Sequence, residues 1–214
     1  MSNGDELVVN ANNGAEEQLK NRIIGEIQNS IDNASFELGE APPPSQWEIW
    51  ALGPFQSASA QPSRIIEINQ TAYIVTVVFL NTFMNDNVTG FGGRIRLDYH
   101  TSNTQTMLPV LPPYSCCFEP GVEPSIELPF GSLYVIVREF TPTEAACLME
   151  TNICARVCNC KNEVVPGYAA FVRWVANFDF DLFFPRVGFQ FDHPIRYLVY
   201  DNEDDTNCDC TNDC

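Results

Sequence analysis

Basic side chains are scarce in this chain. Only 11 Lys and Arg stand against 28 Asp and Glu, for a formal charge of −17. That deficit argues against nucleic acid, whose phosphates must be neutralised by Lys and Arg, and against anionic membrane surfaces. No apolar run approaches the roughly 18 residues of a membrane span, so membrane insertion is not expected. The N-terminal stretch MSNGDELVVNANNGAEE lacks the basic start and apolar core of a secretory signal. Histidine is limited to His100 and His193, and no GxSxG, HExxH, Walker or GxGxxG pattern occurs. His193, between Asp192 and Pro194, reads as a turn residue. The expectation is that this is not an enzyme.

Cysteine, by contrast, is plentiful. Cys116 and Cys117 are adjacent, Cys147, Cys154, Cys158 and Cys160 follow, and Cys208, Cys210 and Cys214 end the chain. Nine is odd, so pairing within one chain leaves at least one thiol over. Reduced cytosolic proteins seldom collect cysteines unless they bind metal or react. A chain assembled inside a cell and oxidised later satisfies both the cysteines and the missing signal. The expected location is therefore extracellular, or on a cell, spore or virion surface, reached without a recognisable signal peptide.

At 214 residues the chain can bury a full core as one domain. The stretch that organises it is Tyr168–Tyr200. Tyr168, Ala170, Val172, Trp174, Ala176, Phe178, Phe180 and Leu182 share one side of an extended strand, a period of two that no helix reproduces. Pro185 interrupts the ladder, and Val187–Phe191 and Ile195–Val199 alternate again. Upstream, Tyr73–Leu80 is apolar on both faces apart from Thr76 and should lie centrally, covered on both sides. Arg64–Ile68, Ile95–Tyr99, Leu133–Phe140 and Ile153–Asn159 read as further strands. Residues 101–132 read as a Pro-rich excursion, Asn85–Gly90 as a turn, and Glu144–Glu150 as a short turn of helix.

Residues 1–14 read as a polar arm. A helix follows, with Asn13 and Glu16 in a capping-box pattern and Leu19, Ile23, Ile27 and Ile31 forming an apolar stripe. That stripe suits the chain's own sheet or a neighbour's equally. Gly39–Pro44 is a stiff linker. The expected organisation is an arm and helix over 1–40, a β domain over 41–200 and an acidic cysteine tail over 201–214. The expected fold is all-β: a two-sheet sandwich of jelly-roll or Greek-key type, with an N-terminal arm and one amphipathic helix.

Cys147, Cys154, Cys158 and Cys160 offer enough thiolates for a closed zinc site, but C-x6-C-x3-C-x-C is not the paired C-x2-C knuckle. Disulfides are the first expectation. Cys116 and Cys117 should point oppositely from a strand, and Cys154, Cys158 and Cys160 should share a face if 154–160 is a strand, so each seeks a partner elsewhere. Cys208, Cys210 and Cys214 have nothing apolar around them and complete the set of cross-link candidates. Asp201, Glu203, Asp204, Asp205 and Asp209 carry oxygen ligands of the sort calcium prefers, without the EF-hand order. Calcium is an optional ligand, and no cofactor is required. Trp47, Trp50 and Tyr114 suit either sugar stacking or a sandwich core.

These features point to a structural subunit that polymerises with copies of itself into an appendage, fibre or coat, held by disulfides. In composition alone the chain is similar to subunits of bacterial spore appendages and to viral capsid jelly rolls. The alternative is a calcium-assisted carbohydrate-binding β-sandwich module.

Overall fold

The structure is a computed structural model. It describes the backbone of residues 5–33, 47–159, 161, 163–171 and 194–201, and the side chains there except at 5–13 and 166–171. Helix α1 spans Asp5–Asn33, and strand β1 follows at Trp47–Phe55. Then come β2 (Ile65–Glu67), β3 (Ala72–Asn81), helix α2 (Thr82–Gly90) and β4 (Arg94–Asn103). The remaining strands are β5 (Tyr114–Phe118), β6 (Ser125–Leu128), β7 (Gly131–Phe140), β8 (Ala146–Cys158), β9 (Val164–Phe171) and β10 (Ile195–Tyr200).

Two sheets form. One has the order β1-β3-β7-β6, the other β2-β10-β8-β4-β5, with β9 also paired to β8. All pairings are antiparallel except that of β10 with β2. The all-β, two-sheet expectation is borne out. Of the two topologies named, the order is the Greek key of immunoglobulin-type sandwiches, in which one sheet runs A-B-E-D and the other contains C, F and G.

Between the sheets lies one apolar cluster. Ile74, Val78, Leu80 and Tyr134 meet Leu97, Tyr99, Ile153, Ala155, Val157 and Tyr197 there. The opposite face of the four-stranded sheet carries Leu52, Phe55, Val75, Val77, Phe79, Leu133 and Val135, which α1 covers with Leu19, Ile23 and Ile27. This third layer explains why β3 is buried from Ala72 to Leu80. The helix lies on its own chain's sheet, held also by Arg22, whose Nη2 donates to the Ala60 carbonyl at 2.9 Å. Lys20 pairs with Glu123 beyond β5.

Several expectations are corrected. The helix begins at Asp5, so most of the expected 1–14 arm is helical and Asn13 is not its cap. Each residue added to a docked helix gains one hydrogen bond, and no proline stops propagation toward the N-terminus. Asn85–Gly90 is not a turn but part of α2, a second helix. The Asn81 side chain accepts from the Met84 N–H at 2.7 Å, and Met84 and Val88, one turn apart, are buried. The Pro-rich excursion contains β5 and β6. Residues 146–150 are strand, not helix, because Ala146, Met149, Thr151, Ile153, Ala155 and Val157 turn inward to the core. Of the Tyr168–Tyr200 stretch, residues 172–193 lie outside the described residues.

Gly53 and Gly131 are required by geometry. Gly53 has φ +128°, and a Cβ there would meet the Tyr73 carbonyl oxygen at 2.9 Å. A Cβ on Gly131 would stand 2.2 Å from the Leu80 carbonyl oxygen, where β7 pairs closely with β3.

Candidate functional site: the thiols of the six-stranded sheet

Strand β4 aligns the cysteines. It pairs Leu97 with Cys116, Arg96 with Cys117 and Asp98 with Ser115 on β5. On its other side it pairs Arg94 with Cys158, Arg96 with Arg156 and Asp98 with Cys154 on β8. Directly opposed residues share a face. The outer face therefore carries a row Cys117–Arg96–Arg156, flanked by a row Ser115–Asp98–Cys154 and by the Arg94–Cys158 pair. Cys116 turns the other way and packs against the core between the sheets. The opposite orientation of the two adjacent cysteines is as expected from strand alternation.

Asp98 anchors this face. Arg96 Nε donates to its Oδ1 at 2.7 Å and Ser115 Oγ donates to the same oxygen at 2.6 Å. Arg156 Nε stands 3.6 Å from Oδ2. Burial pushes the Asp98 carboxyl upward, but the hydrogen bonds from Ser115 and Arg96 and both guanidinium charges hold it below the usual carboxylate range. Further along, Arg94 reaches Glu119 at 2.6 Å.

Cys116, Cys117, Cys154 and Cys158 are free thiols. Their environments differ. Desolvation pushes the Cys116 thiol up to about 12, with the neighbouring Cys117 adding to it. Burial also raises Cys154, although Arg156 favours its thiolate, and raises Cys158, although Arg96 and Arg156 do the same there. A protonated, buried thiol is a poor nucleophile. Cys117 is the exposed one, and it sits on β5, an end strand of its sheet. Among the described residues no strand pairs with the other side of β5.

The zinc reading does not survive this geometry. Cys147 and Cys154 are seven residues apart on β8, which at strand rise separates them by about 23 Å. Cys147 therefore cannot share an ion with Cys154 and Cys158. No group of three His, Cys, Asp or Glu that could hold a metal occurs among the described residues. Cys160, Cys208, Cys210, Cys214, Glu203, Asp204, Asp205 and Asp209 lie outside them. Asp201 is half-buried just after β10. The Trp47 and Trp50 side chains pack against the two core clusters. A shallow cavity of about 450 Å³ lies between α1 and the segment after β1, lined by Gln18, Arg22, Gln56, Ser57 and Ser59.

No family model matches this sequence, and no curated protein does. Solved structures give distant likenesses only. The crystal structure of the CARDB domain of a Pyrococcus furiosus protein in complex with di-metal ions aligns over 79% of this chain and 96% of its own, at 14% identity and TM-score 0.31. A solution structure of that domain aligns over 59% and 89%, at 14% identity and TM-score 0.28. A β-glucosidase from Listeria innocua in complex with glucose aligns over 78% of this chain and 19% of its own, at 7% identity and TM-score 0.33. Likenesses of that size carry nothing about ligand or activity. The β5 thiol and the row behind it had no motif to announce them, since strand register is a tertiary fact.

Proposed function

We propose that this chain is a structural subunit that assembles with copies of itself and is locked by disulfides between subunits. Its place is extracellular, or on a cell, spore or virion surface. The observation that supports this is Cys117, an exposed thiol on an end strand. A neighbour can add to such an edge through main-chain hydrogen bonds, and a thiol carried by that edge meets its partner at high effective concentration. Bond formation joins two sulfurs, releases two protons and passes two electrons to dioxygen. Subunits made in a reducing compartment stay separable until that oxidant is met. The role needs no catalysis and no cofactor. Calcium bound by Asp201, Glu203, Asp204, Asp205 and Asp209 would serve only to relieve repulsion in the tail.

Non-reducing gels test it. Wild-type protein exposed to air should give ladders that collapse with reductant, and Cys117→Ser should shorten them. The remaining bonds are assigned to Cys208, Cys210 and Cys214, whose joint replacement by Ser should leave fold and initial assembly intact. Mass spectrometry of non-reduced digests reads the partners directly. If every bonded cysteine maps within its own chain, the locking reading fails. A monomer with and without reductant supports instead the calcium-assisted carbohydrate-binding module.

A further inference from the structure

Among the described residues two charged side chains are buried, Asp98 and Arg138. Asp98 has two arginines and a serine. Arg138 has no anion partner among the described residues. It lies on the face of β7 that looks between the sheets, in the series Tyr134, Ile136, Arg138, Phe140. Its guanidinium carbon is 4.9 Å from the Tyr99 ring centre, 5.0 Å from that of Tyr114 and 5.8 Å from that of Phe140. Aromatic faces attract a cation, but they offer no lone pair in the guanidinium plane. Nε and Nη1 are buried and have no hydrogen-bond partner.

The groups that act most on the Arg138 charge are Tyr99, Tyr197, Tyr114 and Cys116, while the Glu16 carboxylate acts on Tyr114 beside it. All four are neutral at pH 7, because burial raises each phenol and pushes the Cys116 thiol up to about 12. The Tyr99 hydroxyl is already engaged with Thr76 at 2.9 Å. A buried cation with unpaired N–H groups and no counter-charge is costly, and an arriving anion would relieve that cost.

Among the described residues one edge of β7 is open. Strand β6 pairs with β7 only from Gly131 to Tyr134, so no strand among the described residues flanks β7 from Val135 to Phe140 on that side. The facing sheet ends at β5, whose Phe118 ring touches Tyr134 at 5.1 Å between centres. This edge is the mouth between β5 and β7 among the described residues, and Arg138 lies there with the ring of Tyr114, 43% exposed, against its guanidinium.

We infer that Arg138 is a carboxylate-binding site. A single planar carboxylate reaching the guanidinium between β5 and β7 accepts from its N–H groups. Phosphate suits the site less, since it brings a second charge that must also be stripped of water. The carboxylate comes either from a small free acid or from an acidic side chain of another copy of this chain, whose 201–214 stretch is rich in Asp. The site does not depend on disulfide locking.

The test is NMR of full-length, reduced protein carrying ¹⁵N arginine. The Arg138 Nε–H resonance is assigned by its loss in Arg138→Met. Titration with acetate should move it saturably, and phosphate should move it far less. A peptide of residues 201–214 with its cysteines replaced by Ser should move it at lower concentration if the source is another copy; an acetate response alone assigns a free acid. Should Arg138→Met fail to fold, Tyr114→Ala identifies the same signal, because removing the ring removes its shielding, and the wider mouth should tighten acetate binding. A resonance that neither acetate nor the peptide moves, in wild type or in Tyr114→Ala, overturns the inference.

Discussion

Replacing Ile23 with Ala asks whether α1 belongs to its own subunit's core. Ile23 is fully buried between Leu19 and Ile27 on one side and the outer face of the four-stranded sheet on the other. The substitution removes the side chain beyond Cβ and leaves a cavity, a change that costs about 2–5 kcal/mol in packed cores. Leu52, Val75, Val77 and Leu133 belong to a rigid sheet that cannot collapse into the gap, which favours about 3–4 kcal/mol. Against a total stability of about 5–15 kcal/mol the protein should still fold. With a urea slope of about 2–3 kcal/mol per molar for a chain of this size, the midpoint should fall by roughly 1–2 M. Ile24→Ala, half-buried beside it, should cost about 1 kcal/mol. The assay is urea unfolding followed by fluorescence at two protein concentrations under reducing conditions. A loss that appears only at low concentration would mean that the helix docks on a neighbouring subunit. A midpoint unchanged at both concentrations would mean that α1 is not part of the core.

Gly131→Ala should be strongly destabilising, by about 3 kcal/mol or more, because the added carbon strikes the Leu80 carbonyl and Asn81 Cα, both backbone. Equilibrium unfolding checks it, and a loss below about 1 kcal/mol would refute the close β3–β7 approach. Two carboxyls should act on stability with opposite sign. The folded Asp98 titrates below its unfolded value, so its stabilisation is present above that value and lost as pH falls through the folded one. Glu16 titrates above its unfolded value, chiefly through burial and then the Glu139 charge, so its contribution is present below the unfolded value and lost as pH rises through the folded one. In stability-against-pH curves Asp98→Asn should therefore flatten the acid limb and Glu16→Gln the decline above the Glu range. Curves parallel to wild type would sink both assignments. Alkylation of the native, reduced protein should modify Cys117 before Cys116, Cys154 or Cys158, as read by peptide mass spectrometry; equal rates would contradict the greater exposure of Cys117.

What the sequence made legible follows from which forces are local. In β3, Tyr73–Leu80 is apolar on both parities, and only burial from both sides accounts for that, as the sheet and α1 confirm. The four-residue spacing of Leu19, Ile23 and Ile27 identified the helix's buried stripe, because helical side-chain positions depend on the chain itself. The errors arose where two local signals competed. Asn85, Asp86 and Asn87 favour turns, yet the Asn81 cap and the Met84–Val88 pair decided for α2. The prolines around β5 hid a strand that needs partners on only one side.

The candidate site divides along the same line. Alternation within one strand suffices to turn Cys116 and Cys117 to opposite faces, and the packing of the sheets decides that Cys116 is the inward one. The Cys117–Arg96–Arg156 row needs the register of three strands, which no local pattern supplies. Arg138 lies between these cases. The parity of Leu133–Phe140 already placed it with Tyr134, Ile136 and Phe140, on one face of a strand whose other face carries Leu133, Val135 and Val137. Both faces were apolar enough to be buried, so a guanidinium on either one was a charge headed for an interior. In a chain of charge −17 an approaching copy would be repelled, and a cation held at such a contact would reduce that repulsion. A guanidinium already stripped of water makes the stronger contact, because its desolvation was completed when the subunit folded and not when the carboxylate arrives.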